Sequence, residues 1–498
     1  MSKSKEPVLA SVAAFLSKSH GFYIDGKHVE AQNENRLNIY NPADASVIAS
    51  CGDATKEEVD SAVSSAWQVF TQKTWVNCLP VAKEKVLLKF ADLVEAYAHE
   101  LAQLLTLEQG KSVSMARDLE VSCAVQWMRY TAGLVTKHNG QYLNVSLPFP
   151  KGAQYQAWTT KNPIGVVAGI VPSNFPLLIG IWKVLPALAA GCSVVIKPAE
   201  TTPLSMLRLA ELATEAGIPN GVFNVITGKG QAAGEWLVTH PLINKVSFTG
   251  STVTGKKIAC LAATDLKQVV LELGGNNPAI VLKDSDPSLV VPGLLTSSFL
   301  NQGQVCAASS RIYIEAPLFD QIVAQFEQAI QSMSIGCGLD HQAQINPLST
   351  ANQQSVVQNH LTQVRKQGVE VITGPNTPSE GFYVSPALII NPDYHHLLNK
   401  EEVFGPVVNL IPVANESEAL LLANDSDYGL CASVWTNQLD KAITYSNALQ
   451  VGTVWVNSHG FIDPNMPFGG VKMSGIGQEF GANWLDAYSD TKSVCIKY

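Results

Sequence analysis

Cys306 lies in Asn301-Gln302-Gly303-Gln304-Val305-Cys306, a polar, glycine-containing loop. Cysteine is usually a small core hydrophobe, and the other eight of the nine cysteines read that way. A nucleophilic thiol instead needs access and surroundings that favour the thiolate. Glu272 ends the apolar run Val269-Val270-Leu271-Glu272-Leu273 and is followed by Gly274-Gly275. Burying a carboxylate there is expensive, and burial raises its pKa toward a general base's range. An ion pair or a helix cap is the alternative. Lys197 ends another apolar run, and Glu200 follows it in Lys197-Pro198-Ala199-Glu200. Gly250-Ser251-Thr252-Val253-Thr254-Gly255 joins a strand to a helix. It lacks the Lys-Ser/Thr of a Walker A loop and is not GxGxxG. Such a turn can take a phosphate on backbone N–H groups; a tight structural turn is equally consistent. His395 and His396 read as surface residues, and His459 as a site rim or a turn. With no HExxH and no cysteine cluster, no metal is expected.

These residues need elements to hold them. From residue 164 onward, apolar strands alternate with helices: strands at 165–170, 193–197, 222–226, 245–248 and 268–273, and helices at 176–190, 203–216, 230–239 and 252–263. That rhythm predicts a parallel sheet covered on both faces, with ligands at the carboxyl ends of its strands. A second α/β unit is expected over 275–475, with strands at 279–282, 311–314, 407–413 and 453–456. Upstream, Asp25-Gly26 marks a turn, and 8–16 reads as a short surface helix. Thr55 caps a helix with Val59, Ala62, Val63, Trp67 and Phe70 on one face. Helices follow over 83–107, with Leu87, Phe90, Ala91, Val94, Leu101 and Leu105 inward, and over 120–134. Residues 141–162, including Val145, Leu147 and 155–160, alternate as exposed strands. Their edge needs a partner, and the alternating tail 492–497 is suited to supply one.

The chain has 498 residues, enough for two to four domains at roughly 100–200 residues each. Its net charge of −9 opposes non-specific nucleic-acid binding and gives no help at an anionic membrane. The longest apolar passage, 178–190, is interrupted by Lys183 and is too short to span a bilayer. An odd cysteine count without CxxC suits a reducing, cytoplasmic compartment.

Seven stretches together resemble the NAD(P)-dependent aldehyde dehydrogenase superfamily over essentially the whole chain. They are Pro172-Ser173-Asn174-Phe175-Pro176-Leu177, Lys197-Pro198-Ala199-Glu200, Phe248-Thr249-Gly250-Ser251, Leu271-Glu272-Leu273-Gly274-Gly275, Gln302-Gly303-Gln304-Val305-Cys306, Glu401-Glu402-Val403-Phe404-Gly405-Pro406 and Pro467-Phe468-Gly469-Gly470. Their order and spacing fit as well, including 34 residues from Glu272 to Cys306. Within the superfamily the chain is similar to bacterial phenylacetaldehyde dehydrogenases, through Trp127-Met128-Arg129-Tyr130-Thr131-Ala132-Gly133, Tyr155-Gln156-Ala157-Trp158-Thr159 and Trp455-Val456-Asn457-Ser458-His459.

The resemblance implies an α/β fold with two parallel-sheet domains and a small bridging β-sheet for oligomerisation. The cofactor domain would be 1–140 plus 163–273, the catalytic domain 274–474, and the bridging sheet 141–162 plus 484–498. It implies Cys306 as nucleophile, Glu272 as general base, and Asn174 with the Cys306 N–H as oxyanion donors. Lys197 and Glu200 would contact the adenosine ribose, and Gly250 and Ser251 the pyrophosphate side. Glu402 would hold the nicotinamide ribose beside Phe404. Glu200 favours NAD and repels the 2′-phosphate of NADP, with Lys197 compensating in part. Phe175, Ile179, Trp182, Leu300, Ile462 and Phe468 would line or approach the substrate tunnel, all apolar, for an aromatic or medium aliphatic aldehyde. Dimers or tetramers are implied, with no nucleic-acid or membrane partner.

Two departures from the family pattern stand out. Ser173 replaces a tryptophan before the asparagine, which predicts a looser or wider neighbourhood. Asn276 replaces the lysine usual after the double glycine. The rival readings are a CoA-acylating or phosphorylating enzyme, one for aliphatic aldehydes or semialdehydes, and a non-catalytic protein on this fold.

Overall fold

A computed structural model describes residues 5–32, 34–146, 150–391 and 400–498. Five parallel strands stand side by side in the order Phe223–Val225, Ser193–Lys197, Val166–Ile170, Lys245–Thr249 and Gln268–Glu272. The hairpin Phe22–Ile24/Lys27–Val29 joins one edge antiparallel, and Gly475–Ile476 joins the other, making eight strands. Side chains alternate across the sheet with the period of two that strand geometry imposes. Val167, Val194 and Ile196 pack with helices Pro176–Ala190 and Leu204–Ala216. Val166, Ala168 and Val195 pack on the other face with Lys56–Thr71 and Thr252–Ala263. The boundaries expected for 176–190, 193–197 and 252–263 match residue for residue.

Thr55 and Glu58 form a reciprocal cap that starts Lys56–Thr71. On that helix Ala66 and Val69 take inward positions, while Trp67 and Phe70 are only half-buried. The single helix expected over 83–107 is two, Pro80–Ala96 and Ala98–Gln109. They break at Tyr97, whose φ of −96° and ψ of 16° leave the helical region. All six expected inward residues are nevertheless buried. The third helix is Ser122–Leu134, entered through a π-helical turn over Ala116–Val121.

The second sheet has seven strands in the order Glu370–Thr373, Ala387–Ile390, Val407–Val413, Ser309–Glu315, Asn277–Val281, Cys431–Trp435 and Thr453–Val456. All are parallel except the first. A third sheet pairs Ser489–Lys497 antiparallel with Tyr155–Pro163 along nine residues, with Tyr142–Leu143 on the far side. Val145 lies outside any strand, and Leu147, like His395 and His396, is outside the described residues.

The cysteine expectation needs correction. Only Cys51, Cys192 and Cys431 are buried, and Cys260 and Cys495 are exposed. The latter two sit on a helix and a strand that each keep a face toward solvent. Among the described residues no helix is long and apolar enough to cross a membrane, and no cluster of metal-ligating side chains occurs.

Candidate active site

In the first sheet the strand order reverses beside Val166–Ile170. One pair of connections runs out to Ser193–Lys197 and Phe223–Val225, the other to Lys245–Thr249 and Gln268–Glu272. Ligands bind outside the carboxyl ends of strands at such a switch point. Pro172 to Asn174, Lys197 to Glu200, Gly250 and Leu273 all lie at or just past those ends. The second sheet meets them with its amino ends. Gly275, Cys306 and Gly405 shortly precede Asn277–Val281, Ser309–Glu315 and Val407–Val413.

Between the two lies a cavity of about 310 Å³ whose wall includes Asn174, Gly250, Ser251, Cys306, Glu402 and Phe404. Six of the nine expected catalytic and cofactor residues therefore share one space. Burial pushes the Cys306 thiol up to about 12, helped by the Glu402 and Glu272 carboxylates and opposed by backbone N–H groups. The sulfur is therefore a thiol near pH 7. The side-chain amide of Asn174 donates one N–H to the Gln304 carbonyl at 3.0 Å, which leaves the other for a ligand oxygen.

The loop before Cys306 is strained. Asn301, Gln302 and Gly303 have φ of 49°, 57° and 70°, and glutamine rarely adopts that region. A Cβ at position 303 would stand 2.1 Å from the Gly405 carbonyl oxygen, so glycine is required there. Gln304 braces the loop by donating to Asn301 O at 3.1 Å and accepting from Ser349 N–H at 2.9 Å. Asn277 holds the other side, donating to Cys306 O at 2.7 Å and Ala308 O at 2.9 Å.

Glu272 is 4% exposed, and neither carboxylate oxygen has a protein partner. Burial raises its pKa well above the ordinary value; Glu479 adds to the rise and Lys183 opposes it. Lys183 and Glu479 pair at 2.6 Å, both fully enclosed. The ion-pair and helix-cap alternatives for Glu272 are therefore absent from its hydrogen bonding. Its successors Leu273 and Gly274 form part of the cavity wall.

A second cavity, of about 760 Å³, opens along Glu200, Gly230, Gly234, Phe248, Val253 and Leu261. Its apolar sides suit a purine, and its size suits the adenosine half of a dinucleotide. Glu200 accepts the Gly230 N–H at 2.6 Å on one oxygen and keeps the other for a hydroxyl. Lys197 is buried, donates to Pro198 O at 2.8 Å, and is pushed down to about 8 by burial. Ser251 caps helix Thr252–Ala263, while Gly250 N–H bonds Glu272 O at 3.0 Å. A Cβ at Gly250 would lie 2.5 Å from the Phe248 ring, and one at Gly274 only 2.2 Å from a Glu402 oxygen. Both positions therefore need glycine, and Glu200 and Glu402 border one cavity each, which fits the two ends of a dinucleotide. Glu402 accepts the Gly275 N–H at 3.2 Å, and burial raises it to about 7. Phe404 stands at φ 53°, its segment held by Gln353 donating to Val403 O and Phe404 O at 2.9 Å.

None of the six expected tunnel residues is in the wall of the Cys306 cavity. Phe175, Ile179, Trp182 and Phe468 instead belong to the main hydrophobic cluster, against which Val305, Cys306 and Ile462 pack. Trp182 meets Phe480 edge-on at 4.7 Å and Trp127 at 5.9 Å; Phe480 also stacks with Phe468 at 6.2 Å. Leu300 is half-buried at the start of a 3₁₀ turn and is not among that cluster. Cys306 therefore borders both this cavity and an aromatic core.

Ser173 is half-buried in the cavity wall. Asn276 is buried and accepts from Ser310 Oγ at 2.7 Å, while its carbonyl takes two bonds from Arg311. His459 bridges Ser433 Oγ and Ala307 O, each at 2.8 Å, and so ties its loop to the residue after Cys306. Burial lowers it to about 4, which keeps it neutral near pH 7. Asn277, Gln304 and Gln353 are the bracing residues that sequence reasoning missed. Their only signal is an amide side chain beside a glycine or a turn.

The chain belongs to the aldehyde dehydrogenase family, whose model matches residues 28–494. It is 43% identical over 486 residues to a phenylacetaldehyde dehydrogenase of Pseudomonas fluorescens, covering 97% of each chain. An aldehyde dehydrogenase of Bacillus cereus solved as an NAD+ complex superposes with a TM-score of 0.96 at 38% identity, covering 99% of both chains. A betaine aldehyde dehydrogenase of Staphylococcus aureus, also solved with NAD+, gives 0.93 at 34% identity over 98% of this chain and 97% of that one. The two large sheets and the small bridging sheet are those of this family's fold.

Proposed function

We propose that this protein oxidises apolar aromatic aldehydes of the phenylacetaldehyde type to their acids, with NAD as oxidant and water as acyl acceptor. The observation that carries this reading is Cys306 beside Asn174 in one cavity, backed by the partnerless Glu272 carboxylate. The likeness to the phenylacetaldehyde enzyme supports the substrate class.

Glu272 removes the Cys306 proton, and the sulfur adds to the aldehyde carbon. The oxygen becomes anionic and is held by the free Asn174 N–H and the Cys306 N–H. Two such preorganised donors contribute ~3 kcal/mol each. NAD, when bound, supplies the hydride acceptor. Lys197 and Glu200 hold its adenosine ribose, Gly250 and Ser251 pass its pyrophosphate, and Glu402 with Phe404 positions its other end. Loss of hydride from the aldehyde carbon leaves the acyl group on Cys306 as a thioester, and Glu272 gives up its proton to solvent. Glu272 then takes a proton from water as its oxygen attacks the thioester carbon; the carbon–sulfur bond breaks, the acid leaves, and that proton returns to the Cys306 sulfur. A carboxylate so placed favours water over CoA as acceptor. Dimers or tetramers built through the exposed edge of Ser489–Lys497 complete the reading.

NADH formation across arylacetaldehydes, aliphatic aldehydes, semialdehydes and a betaine-type aldehyde, with and without CoA, tests this function. Highest kcat/KM with phenylacetaldehyde and release of the free acid are expected. A preference for aliphatic substrates or an acyl-CoA product overturns it.

Two substitutions probe the pocket. Ser173→Trp should narrow the cavity and lower kcat/KM for phenylacetaldehyde relative to acetaldehyde by about 10-fold; an unchanged ratio would remove Ser173 from substrate selection. Glu200→Gln removes the charge facing a 2′-phosphate and should raise the NADP-to-NAD ratio of kcat/KM about 10-fold, roughly 1.4 kcal/mol. An unchanged ratio would place cofactor choice elsewhere.

A further inference from the structure

Lys111 and Glu120 are both fully enclosed, and their side chains form an ion pair. Nothing in the chemistry above uses either. Desolvating two charges is expensive, and apolar residues of similar size often fill such a space at lower cost. The remaining contacts of the pair converge on one short segment. Lys111 Nζ donates to the backbone carbonyl of Asn174 at 2.6 Å and lies 4.0 Å over the Phe175 ring. The second oxygen of Glu120 accepts the N–H groups of Leu177 at 3.0 Å and Leu178 at 3.3 Å. These are unbonded donors at the start of helix Pro176–Ala190.

Two further features point the same way. Glu120 lies in the π-helical turn Ala116–Val121, and such turns occur frequently at functional sites. The Asn174 carbonyl also accepts from Asn301 Nδ2 at 3.0 Å, and Asn301 in turn accepts from Gln109 Nε2 at 3.3 Å. Gln109 accepts the Lys111 N–H at 3.0 Å, which closes the ring. The backbone of Asn174 is thus gripped from the helical layer and from the Cys306 loop together.

We infer that Lys111 and Glu120 are a positioning pair that fixes the Asn174 side chain for the oxyanion. This rests on the proposed role of Asn174. Neither residue touches the reacting atoms; both act through the main chain of 174–178.

The test is a double-mutant cycle. Lys111→Met, and Lys111→Met/Glu120→Gln to avoid a stranded charge, are made in the native protein and in Asn174→Ala. The readouts are kcat, KM for NAD and aldehyde, and the rate of Cys306 alkylation by iodoacetamide. Asn174→Ala alone should lower kcat by about 10²-fold or more. In the native background the paired variant should lower kcat about 10-fold, with KM for NAD and the alkylation rate within about twofold. In Asn174→Ala its effect on kcat should shrink to less than about twofold, because the group it positions is gone. Equal losses in both backgrounds, or no loss in the native one, overturn the inference while leaving Asn174 its role. An unchanged kcat in Asn174→Ala alone overturns the oxyanion reading, and the positioning pair with it.

Discussion

Replacing Cys306 with alanine abolishes aldehyde-dependent NADH formation, lowering kcat by at least about 10⁴-fold, while the protein stays folded and still binds NAD. The expectation follows from where the sulfur sits. Cys306 is half-buried on a cavity wall, and its loop is held by Gln304, Asn277 and Ser349 rather than by its own side chain. Losing one sulfur from the edge of the core should cost about 1 kcal/mol. The other nearby thiol cannot take over. Cys431 is fully buried, with its sulfur 3.7 Å from the Ala307 carbonyl. Steady-state rates, a thermal melt and an NAD titration on Cys306→Ala check this. Residual activity above about one per cent would show that another group forms the covalent bond.

Glu272→Gln removes the base from both halves of the reaction. The substitution keeps the shape and breaks no protein hydrogen bond, because neither oxygen makes one. The first turnover should slow along with the steady state, each by about 10²–10⁴-fold, so no rapid burst of NADH should appear. The native enzyme should also show a matching pH dependence. Burial raises the Glu272 pKa, so the basic form is present only above that raised value. The steady-state rate should therefore fall as pH drops toward the ordinary carboxylate range, beginning well above it. Glu272→Gln should lose this limb. An unaltered profile, or turnover at the native rate, would move the base to another residue.

Much of this arrangement is legible in the residues. Gly191 and the Lys197-Pro198 step bound a buried strand so sharply that its limits follow from composition. The apolar run ending in Glu272 announces a buried carboxylate because that residue type is so expensive there. Glu402 and Gly274 are legible separately, but their contact belongs to the tertiary fold. Other features leave no local trace. A π-helical turn at Ala116–Val121 adds one residue to a helical repeat without changing its composition. Lys111 and Glu120 carry no signal in the residues around them, and only packing reveals that both are enclosed. The break at Tyr97 is equally silent, since the apolar periodicity runs on through it. Phe175 and Trp182 read as tunnel-lining because they are apolar and near a motif. Apolarity does not distinguish a tunnel wall from the core behind it.

The last strand of the first sheet, Gly475–Ile476, and the long partner of Tyr155–Pro163 both come after the entire second sheet in the chain. During synthesis on a ribosome the first half cannot close until the second has emerged. Gln268–Glu272, which carries the carboxylate, keeps an open flank throughout that interval, and so does most of Tyr155–Pro163. The second unit is nested inside the first like a loop held by a clasp. Assembly of the cleft is therefore among the last events of folding, and nascent chains that stall before residue 476 present bare strand edges to chaperones and to one another.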